Sequence, residues 1–286
     1  MTRIVFATCL AQPQLQESDA VLACALEARG SAVRAAPWNG DQDPFRDGDA
    51  VIIRSTWDYQ ESPDRFADWL ETLGARAHVY NPPALMRWNM SKRYLLTLAE
   101  CGAAMPATRL VEPTSESVAA AMDAMGLDEA VVKPEFGATA SGLSVVRRGD
   151  WPGLGAAAAK LAMPGLIQPL MSEISSVGET SLVFLDGAFS HAVIKRPAAG
   201  DIRCQAEFGG RCERVGPPPA VVAQARRILE MLPTEPLYAR IDGLILDERL
   251  QLMEVELIEP ELFFTYCPEA EMGAADRFAA AILNRL

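Results

Sequence analysis

At 286 residues, 50% hydrophobic and 22% charged, the chain is long enough for two or three subdomains around a substantial core and has the composition of a folded enzyme. A formal charge of −12 and a pI near 4.7 exclude a protein that grips nucleic acid or an anionic membrane by its overall field. Six scattered cysteines with no CxxC pair offer neither a zinc site nor a disulfide framework. A reducing, cytoplasmic compartment is expected, since no stretch has the layout of a secretory signal or the length of a membrane span.

RIVFATC at the N-terminus reads as a buried parallel strand, and residues 18–29 as a helix stopped by Gly30. A second strand, DAVIIRST, and a helix opened by Pro63 and closed by Gly74 follow. This alternation predicts βαβ units in an open α/β layer over the first 80–90 residues. Ligands of such layers gather at the carboxyl ends of strands, which makes Arg54, Ser55, Thr56, Trp57, Asp58 and Tyr59 substrate candidates. An equal alternative has Trp57 and Tyr59 capping the core edge and Arg54 paired with Asp58.

Pro82 and Pro83 mark a boundary, after which a helix is expected to run to Gly102 with Lys92 in its first turns, where helix amides attract phosphate. By itself such a lysine is more often a solvated surface residue. EAVVKPEFGATASGLSVVRR reads as strand, loop, strand; the small-residue tip Gly137–Gly142 lets backbone approach phosphate oxygens, and Thr139 and Ser141 add hydroxyls. Lys133 lies inside the apolar strand before that tip, where burial without an anionic partner is costly. GLIQPL is a further strand, and Asp186-Gly187 is the turn of a hairpin that starts at Glu179 and ends at Lys195 and Arg196. With Arg203 and Arg211 close behind, this cationic run suggests a local anion site, the alternative being a solvated charge run. His78 and His191 sit in apolar strand contexts that suggest packed core residues.

The segment YARIDGLILDERLQLMEVELIEP, residues 238–260, reads as a hairpin that carries acids. With Asp247, Glu248 and Arg249 as the loop, Asp242 falls opposite Glu254, and Arg240 opposite Glu256. Directly opposed like charges are destabilising, and a divalent cation removes the conflict. Hard carboxylate oxygens suit magnesium, which is commonly shared with substrate phosphates.

Taken in order, NMSK with Lys92, VVKP with Lys133, FGATASG, IQPL, VIKRPAAGDIRCQAEFGG and RIDG with MEVELIEP resemble the ATP-grasp superfamily over residues 89–264. The resemblance implies an α/β (α+β) ATP-grasp fold: an N-terminal substrate domain at 1–88, then ATP-clamping subdomains at 89–165 and 166–286. It implies ATP and one or two Mg²⁺ ions as cofactors. Lys92, Lys133 and the 137–142 loop would hold the nucleotide, with Gln168 and Leu170 at the adenine and Glu179 at the ribose. Asp242, Glu254 and Glu256 would bind metal, and Arg203 with Lys195 would serve the reaction. The implied chemistry is activation of a small carboxylate as an acyl phosphate for attack by an amine. Alternatives are a small-molecule kinase and a non-catalytic nucleotide-binding protein. Ribosomal-protein glutamate ligases and bacterial glutathione synthetases have Asn where this chain has Glu256. ELIEP and STWDY are more similar to the branch containing the D-cycloserine-forming ligase, a cyclising enzyme. Partners are expected to be ATP and a small carboxylate, with no nucleic acid or membrane, and with a homodimer as the default assembly.

Overall fold

The computed structural model describes residues 1–46, 50–137, 142–198, 203, 209–267 and 273–286. The first layer follows from short apolar strands alternating with amphipathic helices: β1 (Arg3–Thr8), α1 (Glu17–Glu27), β2 (Ala32–Pro37), α2 (Asp43–Arg46), β3 (Ala50–Ser55), α3 (Pro63–Gly74) and β4 (His78–Tyr80). The strands form a parallel sheet ordered β2-β1-β3-β4. Strand β3 is buried along its whole length, as expected for a central parallel strand covered on both faces. Sequence patterning passes over β2, whose AVRAAP segment carries Arg34 and is mostly half-buried at the sheet edge.

Two helices rather than one follow the Pro-Pro break, α4 (Pro83–Met90) and α5 (Tyr94–Glu100), interrupted at residues 91–93. Lys92 therefore lies at a break between helices, not in the first turns of a continuous one. Next come β5 (Arg109–Val111), α6 (Ser115–Met125), β6 (Glu129–Pro134), β7 (Ser144–Arg147), α7 (Trp151–Ala158) and β8 (Gly165–Pro169). Their strands make an antiparallel sheet ordered β5-β8-β6-β7. Val118, Met122, Leu154 and Ala157 of α6 and α7 pack on Ala130, Val132 and Ile167 of that sheet.

The remaining chain forms α8 (Ile174–Val177), β9 (Glu179–Leu185), β10 (Ala188–Arg196), β11 (Arg211–Val215), α9 (Pro219–Glu230), β12 (Tyr238–Leu246), β13 (Arg249–Glu256) and α10 (Ala274–Asn284). Its antiparallel sheet is ordered β11-β10-β9-β12-β13, with β9 and β12 central. Asp186 and Gly187 take positive φ in the β9–β10 turn, as that two-residue connection requires.

The terminal helix α10 returns to the first layer. Phe278, Ala279 and Ile282 pack with Leu22 and Leu26 of α1, with Ile4, Phe6 and Ile52 of the parallel sheet, and with Val183 and Tyr238 of the five-stranded sheet. Full burial of each such large side chain contributes roughly 1.5–3 kcal/mol. This shared core locks the parallel layer against the sheet that carries the acids. His191, 3% exposed, is packed as its strand context suggests, but His78 is exposed because it starts an edge strand.

The acid hairpin reaches the expected register by a different route. Its turn is two residues, Asp247 and Glu248, both at positive φ, so Leu246 pairs with Arg249 rather than Leu250. A bulge between Asp242 and Gly243 skips Met253 and restores Asp242 opposite Glu254 and Arg240 opposite Glu256. Gly243 is required there, since an added Cβ would lie 2.5 Å from the Gln251 carbonyl oxygen.

Candidate active site

A cleft of about 580 Å³ opens between the three sheets. Its walls bring together Lys92, Lys133, Gly137, Gln168, Leu170 and Glu179 with Lys195, Arg203, Asp242, Glu254 and Glu256. Residues distant in sequence thus meet in one space.

Glu135, just after β6, places the first two of these lysines side by side. Its backbone oxygen accepts from Lys92 N at 2.9 Å, and its carboxylate takes Ser91 Oγ at 2.6 Å and Arg93 Nε at 2.9 Å. The break between α4 and α5 is thereby docked onto the strand that carries Lys133. Burial, followed by the charge of Lys92, lowers Lys133 to about 8. Lys92 forms an ion pair with Glu254, which raises the lysine despite its burial. Burial pushes Glu254 upward, but Lys92 and Lys133 outweigh it and hold that carboxylate below its ordinary value.

Asp242 and Lys195 are aligned by the five-stranded sheet. Lys195 stands opposite Glu179 in the β9–β10 ladder, and its Nζ lies 2.7 Å from Glu179 Oε2 and 3.1 Å from Asp242 Oδ2. Arg240 clasps Asp242 through Nε and Nη2, each at 2.9 Å, and also forms an ion pair with Glu256. Burial opposes ionisation of Asp242, yet Arg240 and Lys195 hold it well below the ordinary carboxylate value. Glu256 goes the other way, to about 7, through burial and the nearby Asp242 and Glu254 charges, with Arg240 offsetting only part.

Among the described residues, no three His, Cys, Asp or Glu side chains form a ready cage for a metal ion. Asp242, Glu254 and Glu256 are instead each held by a lysine or arginine. The donors are nevertheless hard oxygens facing one cleft, a set suited to magnesium that completes its coordination with substrate phosphates and water.

From the last residues of β13 onward the chain is pinned through its carbonyls. Asn89 Nδ2 donates to Val255 O at 2.8 Å and Asn81 Nδ2 to Leu257 O at 2.9 Å. The Tyr238 hydroxyl is 2.9 Å from Ile258 O, Trp57 Nε1 donates to Glu259 O at 3.2 Å, and Arg54 Nη2 to Pro260 O at 2.8 Å. Arg240 Nη1 reaches Glu261 O at 3.2 Å, and His191 Nε2 is 2.8 Å from Leu262 O. These donors come mainly from the parallel layer and β12, and they fix the strip that faces the cleft.

This pinning revises the reading of residues 54–59. Trp57 and Tyr59 line the cleft. Arg54, Ser55, Thr56 and Asp58 do not. Arg54 is 1% exposed and pairs with Asp19 at 2.6 Å, not with Asp58, so it braces α1 and Pro260 from inside. Ser55 and Thr56 are fully buried as β3 ends, and Asp58 accepts from Trp38 Nε1 at 2.6 Å and Asn39 Nδ2 at 2.7 Å. Gly142 does not line the cleft either; its φ of +75° turns the chain beside Pro134. Thr139 and Ser141 lie outside the described residues. Sequence reasoning missed Glu135, Arg240 and Glu259 as site residues. The register that sets Arg240 against Glu256 was the available signal for Arg240; Glu135 and Glu259 depend on contacts with distant segments.

Comparison with known proteins finds relatives of the same fold. Residues 4–81 match the family model of the D-cycloserine synthetase DcsG N-terminal domain. The cycloserine biosynthesis protein DcsG of Streptomyces lavendulae is 29% identical over 275 residues, covering 90% of this chain and 90% of that protein. The crystal structure of D-cycloserine synthetase DcsG superposes with a TM-score of 0.87 at 25% identity, covering 99% of each chain. The ATP-grasp ligase PsnB, solved with Mg and ADP, gives 0.68 at 15% identity over 99% of this chain and 98% of its own. The chain thus has the fold of the ATP-grasp ligases, and its likeness to these proteins supports an ATP-dependent ligase that joins a carboxylate to an amine through a C–N bond. Within that class it stands near the D-cycloserine synthetase branch. No helix among the described residues is long and apolar enough to cross a membrane.

Proposed function

We propose that the enzyme activates the carboxyl group of a small amino-acid derivative and closes it onto a nucleophilic nitrogen of the same molecule, as in D-cycloserine formation. The single observation that carries this reading is the convergence of Lys92, Lys133 and Lys195 with Asp242, Glu254 and Glu256 in a cleft of about 580 Å³. That volume is in the range of small-molecule sites. Similarity to a cycloserine biosynthesis protein over 90% of both chains supports the choice of cyclisation.

Phosphoryl transfer needs mainly charge neutralisation and alignment. Lys92 and Lys133 anchor the polyphosphate, with Gln168 and Leu170 against the base and Glu179 toward the ribose. Asp242, Glu254 and Glu256 would hold one or two magnesium ions, which supply Lewis-acid stabilisation of the phosphate oxygens. Lys195 and Arg203 meet the transferred phosphoryl group. The substrate carboxylate attacks the terminal phosphorus and ADP leaves. The internal nitrogen then attacks the acyl carbon, phosphate departs, and the nitrogen gives up its proton. The 137–142 loop is proposed to exclude water from the acyl phosphate. The proposed functional units are 1–88, 89–165 and 166–286, with α10 of the third packed as a brace on the first.

A screen of amino-acid derivatives for magnesium-dependent ADP release tests this reading. Release with a single compound supports cyclisation; release only with pairs supports intermolecular ligation. Hydroxylamine separates ligase from kinase, because only an acyl phosphate yields a hydroxamate. Failure to form hydroxamate with any ADP-releasing compound would refute the ligase mechanism.

A further inference from the structure

The ligase reading leaves one end of the cleft without a role. There the walls are Gln16 and Ser18 at the N-terminus of α1, Trp57 and Tyr59 from the turn that follows β3, and Glu259 and Glu261 from the pinned strip. Glu259 is 8% exposed, yet among the described residues its carboxylate meets no lysine or arginine in an ion pair and no side-chain donor. Of the other acids that line the cleft, Asp242, Glu254, Glu256 and Glu179 each have a cationic partner, while Glu17 is exposed and the half-buried Glu261 accepts from Phe263 N at 2.7 Å. Its position is set with care. Trp57 holds its own carbonyl, and Tyr238, Arg54 and Arg240 hold the carbonyls on either side.

A nine-tenths buried carboxylate that faces a cleft with only its own backbone amide and the more distant charge of Arg240 to offset burial, and with no ion-pair partner, is costly unless a ligand supplies one. We infer, resting on the ligation proposed above, that Glu259 receives the ammonium group of the substrate and thereby orients the carboxyl group toward the nucleotide. The chemical class is a small molecule carrying a primary ammonium beside the carboxyl group to be activated. Trp57 and Tyr59 line the same end, and aromatic faces favour a cation. Burial, then the nearby Glu256, raises Glu259 to about 8, so an arriving ammonium restores the carboxylate charge and displaces a proton. Arg54 acts as a positioning residue: buried at the end of β3, it holds the strip through Pro260 O and α1 through Asp19.

The test is calorimetric titration of the full chain, with magnesium and ADP bound, by D-cycloserine and by isoxazolidin-3-one, the same ring without the amine. Wild-type protein should bind D-cycloserine at least about tenfold more tightly, and Glu259→Gln should bring the two within about twofold while ADP affinity stays within about twofold of wild type. Glu259→Ala should lose the same preference, which separates loss of charge from a misplaced amide. The inference is overturned if either variant retains the preference, if the wild type shows none or binds neither ring, or if Glu259→Gln weakens ADP to the same extent. Failure of wild-type protein to bind magnesium and ADP at all would instead strike the ligase reading, and this inference with it.

Discussion

Replacing Arg240 by Met probes the device that keeps the acid hairpin folded without a bound metal. Arg240 donates to Asp242 at 2.9 Å from both Nε and Nη2, pairs with Glu256, and has a side chain only 9% exposed. Its guanidinium also lies 5.5 Å from the Phe263 ring centroid, and Met fills part of that volume. The dominant loss is thus the counter-charge of buried acids, and removing one partner of a buried pair costs about 3–5 kcal/mol. For a chain of this size that corresponds to roughly 6–10 °C in Tm. Differential scanning calorimetry reads the shift directly. Adding Glu256→Gln should recover part of it, giving a coupling of at least about 1 kcal/mol between the two positions. Magnesium with ADP should narrow the gap further, because the ligand binds the folded state and brings positive charge to the same carboxylates. A loss below about 1 kcal/mol, with no coupling to Glu256, would show that these acids are solvated and that Arg240 does not hold them.

Glu254→Gln should leave Tm within a few degrees of wild type and reduce ADP formation by at least about a hundredfold, since it removes an anionic oxygen facing the phosphates. Near-normal turnover would contradict the metal role. Lys133, lowered to about 8 by burial and by Lys92, should be raised again by bound phosphate, so its contribution to nucleotide affinity is complete below about 8 and is lost as pH rises past that value. ADP affinity should therefore weaken from about pH 7 to about pH 9.5 in wild type and stay flat in Lys133→Met; parallel profiles would remove Lys133 from the phosphate site. Arg54→Met should cost about 3–5 kcal/mol by stranding Asp19, and the double variant with Asp19→Leu should recover most of it. Equal melting of the single and double variants would count against the buried pair.

Legibility in the sequence followed the range of the interactions involved. The parallel layer and the two hairpins were readable because their periodicity and turn residues are local, whereas β2 was not, because a half-buried edge strand with Arg34 lacks a continuous apolar run. The opposition of Asp242 and Glu254 was anticipated, but through two offsetting differences: a turn one residue shorter and a bulge one residue longer than local counting gives. Lys92, Lys133, Gln168 and Glu179 could be named from motif order, since each lies at or beside a strand end or helix break that patterning locates. Arg54 could not be placed that way. Its partner Asp19 is 35 residues away and its second contact, Pro260, is 206 away, so nothing near it in the chain distinguishes a brace from a substrate residue.

The long-range contacts that escape sequence reading also explain how the acids and the first layer act as one site. Every carbonyl from Leu257 to Leu262 meets a side-chain donor, and Asn81, Trp57 and Arg54 deliver theirs from the parallel layer. Asn81 also accepts from Leu237 N at 2.6 Å, tying the entrance of β12 to the exit of β13. Both strands of the acid hairpin are therefore anchored to the layer that presents Trp57 and Tyr59. Satisfied buried amides and carbonyls hold position because each broken contact leaves a desolvated group costing about 1–3 kcal/mol. The distance between the proposed nucleotide and ammonium ends of the cleft is consequently fixed by the fold, which would suit a reaction whose two reacting groups belong to one small molecule and must be held against ATP in a single orientation.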